Sequence, residues 1–265
     1  MLCESSAHRM RKLFHNIEEV FADTGARKAV AARARPTASP GATEPPRDIY
    51  LTACRQIAEA FVGDGYRFAK SGPHFTKRGD PCSYHVSFQS SVNNIPGQHV
   101  VLWMHANVRS LKLRNWRRQQ LHPHRDDDWV AGGMGHLLNR KHAMIEWELA
   151  DLSRRGATIE DAIQFVRTEV FSYFHKFSAP PALIEELCTK DVNAFGVASS
   201  IEFALCFGSR EQAQRILDRY VAQRPDLRDK IETETQTVRR EGFSEFFATS
   251  YTDQIAWVRI AYDLQ

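Results

Sequence analysis

YRFAKSGPHFTKRGDPCSYHVSFQSSVNNIPGQHVVLWMHANV, residues 66–108, is the stretch that decides the fold. Short segments rich in Tyr, Phe, Val and His alternate here with turn sequences such as Ser71-Gly72-Pro73 and Asn93–Gly97. Runs of this length and composition, separated by turn residues, are typical of β-strands. The stretch therefore predicts strands near 66–70, 73–78, 82–90 and 98–108.

One of these segments also predicts which side of the sheet is buried. Tyr84, Val86 and Phe88 alternate with Ser83, His85, Ser87 and Gln89. Because successive strand residues point to opposite faces, this alternation indicates one apolar face and one polar face. We expect an antiparallel sheet of about four strands with one face packed on helices.

Apolar residues at helical spacing surround this sheet region. A helix capped by Asp48 is expected before it and a basic helix over 109–121 after it, followed by a loop over 122–135. Thr158-x-x-Asp161 resembles a capping box and opens a mostly helical C-terminal half. Further helices are predicted near 180–187, 197–207, 209–222, 226–241 and 251–263.

The predicted fold class is α+β, with an antiparallel sheet packed on helices and a mostly helical C-terminal half. Pro, Ala and Arg are frequent in residues 1–47, which we expect to form a flexible basic arm with a short helix. The α+β sheet domain is predicted over 48–150, and a helical subdomain packed on it over 151–265.

Composition excludes several classes of protein. The chain has 265 residues, 43% hydrophobic and 25% charged, which excludes a collagen, a disulfide-stapled mini-protein and a wholly disordered chain. Its five cysteines show no metal-site spacing, which favours reduced thiols. No apolar run has the length of a membrane helix, and charged residues interrupt the start of the chain where a secretory signal would be apolar. We therefore expect a cytoplasmic protein without a membrane partner.

The segment 109–125 concentrates positive charge. It holds six Lys and Arg residues, no acidic residue, and Trp116. Such a segment suits contact with an acidic protein, where Arg and Trp are favoured anchors, or with nucleic acid, where cations bind phosphate. A solvated helix face that covers apolar surface with its Arg stems is the simplest alternative.

The loop that follows suggests a metal site as another hypothesis. His122, His124 and Asp126–Asp128 are followed by His136 and His142, and these residue types bind divalent metals. Their spacing fits no recognised metal motif, so a surface loop is the simpler interpretation. Motifs for nucleotide binding, nucleophilic hydrolysis or kinase chemistry are also missing, so an enzyme is the less favoured class but stays open, and we expect no cofactor.

One combination of motifs resembles a known family. The residues Phe61-x-x-x-Gly65-Tyr66-x-Phe68-x-Lys70-Ser71-Gly72 are followed by Phe75-x-Lys77 and by Val86-Ser87-Phe88-Gln89. This order is similar to the domain-of-unknown-function family 4304, a set of bacterial proteins. The resemblance implies a small α+β domain without established catalysis, and an immunity-type role beside a toxin. Lys70 and Gln89 are polar members of the pattern without an evident folding reason.

The leading hypothesis is therefore a non-enzymatic protein-binding protein, specifically a bacterial immunity protein that neutralises a toxin by occluding it. Two alternatives stay open: a nucleic-acid-binding protein that uses the basic segment 109–125, and a metal-dependent enzyme that uses His and Asp residues of 122–142. The residues expected to contact a protein partner are Arg114, Trp116, Arg117, Arg118, Lys70 and Gln89.

Overall fold

The fold is known from a computed structural model that describes residues 44–69, 72–123, 125–138, 144–243 and 250–265. All of them belong to one unit of the chain, Ser39–Gln265. Of the predicted arm, only residues 44–47 are among the described residues. Lys70, His124 and His142 also lie outside the described residues.

The described part of the chain builds one antiparallel sheet of six strands. β1 to β5 follow one another in chain order across the sheet, and β6 pairs with β4 beside β5. The α+β class is confirmed, but the sheet is larger than the predicted four strands. The strands are β1 Arg67–Ala69, β2 His74–Lys77, β3 Ser83–Ser90, β4 Val101–Arg109, β5 Trp129–Met134 and β6 Trp147–Glu148.

Helices precede the sheet, interrupt it after β4 and form most of the chain after residue 150. α3 continues through a π-helical turn, Val166–Val170, into α4. None of the helices in the described residues is long and apolar enough to cross a membrane. The helices are α1 Pro46–Glu59, α2 Leu111–Arg117, α3 Leu152–Phe165, α4 Phe171–Lys176, α5 Pro180–Thr189, α6 Val197–Phe207, α7 Arg210–Ala222, α8 Arg228–Glu241 and α9 Tyr251–Ala261.

Two predicted helix starts are wrong: the residue before the helix is Pro45 in place of Asp48 for α1, and Asp151 in place of Thr158 for α3. α1 begins at Pro46, so Asp48 lies in its first turn and does not cap it. α3 begins at Leu152, where the side chain of Asp151 accepts a hydrogen bond from the backbone N–H of Ser153. Asp161 is consequently inside the helix, and its carboxylate accepts a hydrogen bond of 2.9 Å from the indole N–H of Trp147. That carboxylate therefore joins α3 to β6 and caps nothing.

The sheet packs on the helices through one face, as the alternation in β3 predicts. Phe75 of β2 and Val86 of β3 are completely buried, and Phe61, which follows α1, stacks on Phe75 with ring centroids 5.3 Å apart. Phe171 of α4 meets the Phe61 ring edge-on at 5.1 Å. The core of the sheet and that of the C-terminal helices form one continuous hydrophobic cluster.

β5 approaches β4 so closely at Gly132 that no side chain fits there. The φ angle of Gly132 is +141°, and a Cβ atom would lie 2.2 Å from the carbonyl oxygen of Ala106. Its N–H donates to the carbonyl oxygen of Ala194 at 2.7 Å, which ties β5 to the segment before α6.

Gly132→Ala should therefore lower the free energy of unfolding by more than about 2 kcal/mol, since it combines a steric clash with a strained backbone. Gly156→Ala is the matched control: Gly156 is an exposed helical residue with open space around it, and this change should stabilise α3 by about 0.5–1 kcal/mol. Urea denaturation of both variants measures the difference. Equal stabilities would contradict the close approach of the two strands.

Candidate functional site

α2 directs Arg117, one of the predicted contact residues, towards the interior. Ser110 starts the helix by accepting a hydrogen bond from the N–H of Leu113, and its hydroxyl donates to the carbonyl oxygen of Pro81 at 2.9 Å. At the other end, the Arg117 side chain has an exposed fraction of 0%. Its Nη1 donates to the backbone carbonyl oxygens of Asp127 at 3.1 Å and Trp129 at 2.5 Å.

The charge of Arg117 is balanced by Glu202 of α6. Nε and Nη2 of Arg117 lie 2.7 Å and 2.6 Å from Oε2 of Glu202, which is also completely buried. The hydroxyl of Tyr262 donates to the other carboxylate oxygen of Glu202 at 2.6 Å. Arg117 is thus a link between α2, the start of β5 and α6, and we withdraw it from the predicted contact set because a partner cannot reach it.

The other predicted residues of α2 differ in their accessibility. Trp116 is half-buried and packs on Tyr262 with ring centroids 5.6 Å apart. Arg114 is also half-buried, whereas Arg118 is exposed. Arg118 is therefore the member of this group that a partner reaches most easily. Lys70 lies outside the described residues.

Carboxylates neutralise much of the positive charge around α2. Arg109 lies 3.6 Å from Asp128, and Arg125 lies 2.6 Å from Asp127. Although burial opposes the effect, hydrogen bonds from Arg125 and its charge hold the pKa of Asp127 below its usual range. The acidic loop that follows α2 therefore neutralises part of the positive charge of the segment 109–125.

The structure does not gather the predicted metal ligands that it describes. His122 is exposed and packs on Phe243 with ring centroids 4.2 Å apart, while His136 is buried beyond β5. Among the described residues, no group of three or more His, Cys, Asp or Glu side chains could hold a metal ion. Since His124 and His142 are not described, the metal hypothesis stays untested.

The remaining predicted residue, Gln89, lies on the face of the sheet that faces away from the helices. It is exposed, and its side-chain oxygen lies 2.8 Å from Nε2 of His105 on β4. We call this side of the sheet the open face, because its side chains are all half-buried or exposed. On β2, β3 and β4 the open face consists of His74, Thr76, Ser83, His85, Ser87, Gln89, Trp103, His105, Asn107 and Arg109.

The centre of the open face is uncharged, and its side chains are hydrogen-bonded to one another. The amide nitrogen of Asn107 donates to the hydroxyl of Ser87 at 3.4 Å across β3 and β4. Burial, with smaller contributions from Arg109 and His74, lowers the pKa of His85 to about 4. Burial and the nearby His136 also lower the pKa of His105. These imidazoles are therefore neutral at pH 7.

Charged groups lie at the border of the open face. Arg109, at the end of β4, is paired with Asp128, as described above. The indole N–H of Trp103 donates to the carboxylate of Glu146 at 3.1 Å, so this half-buried ring is held against the sheet. The open face thus has an aromatic, hydrogen-bonding centre with ions at its edge.

Sequence reasoning missed the β4 half of the open face, although its signal is present. Trp103, His105 and Asn107 alternate with Leu102, Met104, Ala106 and Val108 in the same period-two pattern that identifies β3. The pairing of Gln89 with Trp103 and of Ser87 with His105 places the two polar rows side by side.

Ser83 and three of the cysteines are poorly activated as nucleophiles. The hydroxyl of Ser83 lies 3.3 Å from Nε2 of His85, but an imidazole with a pKa of about 4 is a weak general base at pH 7. Burial raises the pKa of the Cys54 and Cys82 thiols to about 12 and that of Cys206 to about 11. Protonated thiols are unreactive, since the thiolate is the nucleophile.

Comparisons with known proteins add no further assignment. No family model matches the chain, and no curated protein or solved structure shows significant similarity to it. The resemblance to the domain-of-unknown-function family 4304 stays a prediction that rests on the motifs quoted above.

Removing the partner of Arg117 should destabilise the protein strongly. Glu202→Ala leaves a buried guanidinium without its counter-charge, and we expect the free energy of unfolding to fall by about 3–5 kcal/mol. The exposed pair of Arg240 and Glu241, 2.8 Å apart, is the control, and Glu241→Ala should cost less than about 1 kcal/mol. Similar losses for the two variants in urea denaturation would contradict the structural role of Arg117.

The open face should also give stability a pH dependence. An imidazole in an unfolded chain titrates near pH 6.5, whereas His85 in the folded protein titrates near pH 4. As the pH falls between these values, the unfolded state binds the proton first, so stability is lost from about pH 6.5 to 4. The urea midpoint of His85→Gln should fall less than that of wild type between pH 7.5 and 4.5. His175→Gln, at an exposed histidine, should behave as wild type; an unchanged slope in His85→Gln would refute the effect.

Proposed function

We propose that the protein is a binding protein that recognises another protein through its open face. The observation that carries the proposal is the uncharged, hydrogen-bonding centre of this face around Gln89, Trp103 and His105, with ions at its border. Protein interfaces have the same arrangement: charged residues are depleted at the centre, aromatic residues are enriched there, and the rim is polar.

The chemistry of the open face suits a contact that excludes water. Burying an ammonium or carboxylate without a partner is costly, whereas a neutral imidazole or amide requires only a hydrogen bond. His105 and Gln89 already satisfy one another in part, and Asn107 and Ser87 do the same. A partner that supplies the remaining donors and acceptors can therefore cover this surface at a low electrostatic cost.

An immunity role is the form of this function that the family resemblance implies. A toxin would be the partner, and the protein would neutralise it sterically by covering its active site. The poorly activated hydroxyl of Ser83 on the open face is consistent with occlusion, which requires no chemistry from the binding protein.

Nucleic-acid binding receives less support from the electrostatics. Phosphate binding depends on a concentrated positive surface. Arg109, Arg117 and Arg125 are each paired with a carboxylate of the chain. The pairing reduces the field that the segment 109–125 can exert on a polyanion, which leaves the open face as the better-supported interaction surface.

Substitutions on the open face should abolish capture of the partner. Gln89→Arg adds bulk and charge at the centre of the face, and we expect at least a tenfold loss of the captured protein. The matched control is Gln236→Arg, the same change at an exposed glutamine of α8, which packs against α9. The measurement is quantitative mass spectrometry of native-host proteins retained on each immobilised variant.

The proposal requires a protein that wild type and Gln236→Arg retain equally and that Gln89→Arg loses. Equal retention on wild type and both variants would refute it. Arg118→Glu distinguishes the two surfaces, because a partner lost only with this variant would bind α2 and not the open face.

A further inference from the structure

A shallow aromatic pocket, which is more open than enclosed, lies on the helical side of the sheet, away from the open face. It has a volume of about 280 Å³ and is lined by rings from both layers of the fold. Tyr66 precedes β1, Tyr84 belongs to β3, and Phe171 and Phe174 belong to α4. Apart from the contact of Phe171 with Phe61, none of the interactions described above involves the residues that line this pocket.

Neighbouring rings hold the walls of the pocket in place. Tyr66 stacks on Phe171 with ring centroids 5.2 Å apart and an angle of 5° between the rings. Tyr84 packs on Phe174 at 4.9 Å, and Phe75 supports Tyr66 from the core with an edge-on contact at 5.3 Å. A group that enters the pocket therefore need not order these side chains first, which lowers the entropic cost of binding.

The polar groups at the entrance do not favour an ion of either sign. The Lys77 ammonium lies 5.8 Å from the centre of the Tyr66 ring, and Asp64, also exposed, lines the pocket with opposite charge. A cation would meet the repulsion of Lys77 and an anion that of Asp64. Burial raises the pKa of Tyr84 to about 12, so its hydroxyl is neutral and can donate a hydrogen bond.

The size of the pocket limits the ligand to a single small group. A volume of about 280 Å³ is at the lower end of the range for drug-sized ligands. Aromatic rings pack well against other rings in stacked or edge-on geometry, and Tyr and Trp add one polar edge. The combination of ring walls, cancelled charges and hydrogen-bonding groups at the entrance matches such side chains.

We propose that this pocket binds an uncharged aromatic ring with a polar edge, namely the phenol of a tyrosine or the indole of a tryptophan from a partner protein. The assignment to a protein partner rests on the proposed function, whereas recognition of the ring depends on the pocket alone. Interfaces commonly concentrate their binding energy in such buried aromatic anchors.

The probes p-cresol and 3-methylindole, which reproduce the two side chains, test the proposal on the full-length protein. Ligand-observed NMR should detect both with dissociation constants on the order of a few mM, typical of so small a ligand. Methylguanidinium and acetate, as charged probes, should bind at least tenfold more weakly.

Substitutions at the entrance provide the structural control. Ser178→Trp and His175→Trp place an indole at exposed positions that line the pocket, and each should weaken p-cresol binding at least tenfold. Ser172→Trp, at an exposed position of α4 outside the lining, should leave binding unchanged. The use of two blocking variants guards against one that fails to fold, which circular dichroism would detect.

Three results would overturn the proposal: no binding of either ring, preferential binding of a charged probe, or equal binding to wild type and both blocking variants. Because the probes need no partner, this test is independent of the capture experiment. If p-cresol binds and Gln89→Arg still captures the partner normally, the open face is not the interface. The pocket assignment would then stand.

Discussion

A buried ion pair fixes the junction between the sheet and the helices. Arg117 of α2 and Glu202 of α6 lie 2.6 Å apart without access to solvent, and the carbonyl groups of Asp127 and Trp129 accept further hydrogen bonds from the same guanidinium. Removing two charges from water is costly, and the pair is tolerated because the two ions lie in direct contact and each has further hydrogen-bond partners, the two carbonyl oxygens for Arg117 and the hydroxyl of Tyr262 for Glu202. This requirement sets the position of α2 and the entry of the chain into β5 together.

Because Arg117 points inward, the surface around α2 is less positive than the sequence suggests. A run of cations in a sequence suggests a positive face, but the run around α2 serves several local contacts: Arg117 binds Glu202, Arg109 lies beside Asp128, and Lys112 lies over the Phe207 ring at 4.9 Å. The acidic residues that follow in the loop compensate charge within the same region. The interaction surface that we propose is therefore the open face and not α2, since the polar groups at the centre of the open face are not engaged in ion pairs.

The two faces of a strand can be predicted from the sequence where local periodicity determines which side chains are buried. The alternation of Val86 and Phe88 with Ser87 and Gln89 correctly predicts the two faces of β3, because burial of one face forces this period. β5 was missed because Gly132 and Gly133 carry no such pattern, and its pairing depends on a close approach to β4 that only the folded chain reveals. The direction of Arg117 was missed for a related reason, since its partner is 85 residues away.

The two candidate surfaces follow from a difference between the two faces of the sheet in the described part of the chain. The side chains of the open face are half-buried or exposed there, whereas those of the opposite face are buried against helices. The aromatic pocket forms on the covered side, where Tyr66 and Tyr84 lie near the ends of strands and α4 does not fill the space between them. A partner that contacted both would have to reach around the end of the sheet at β1 and β2.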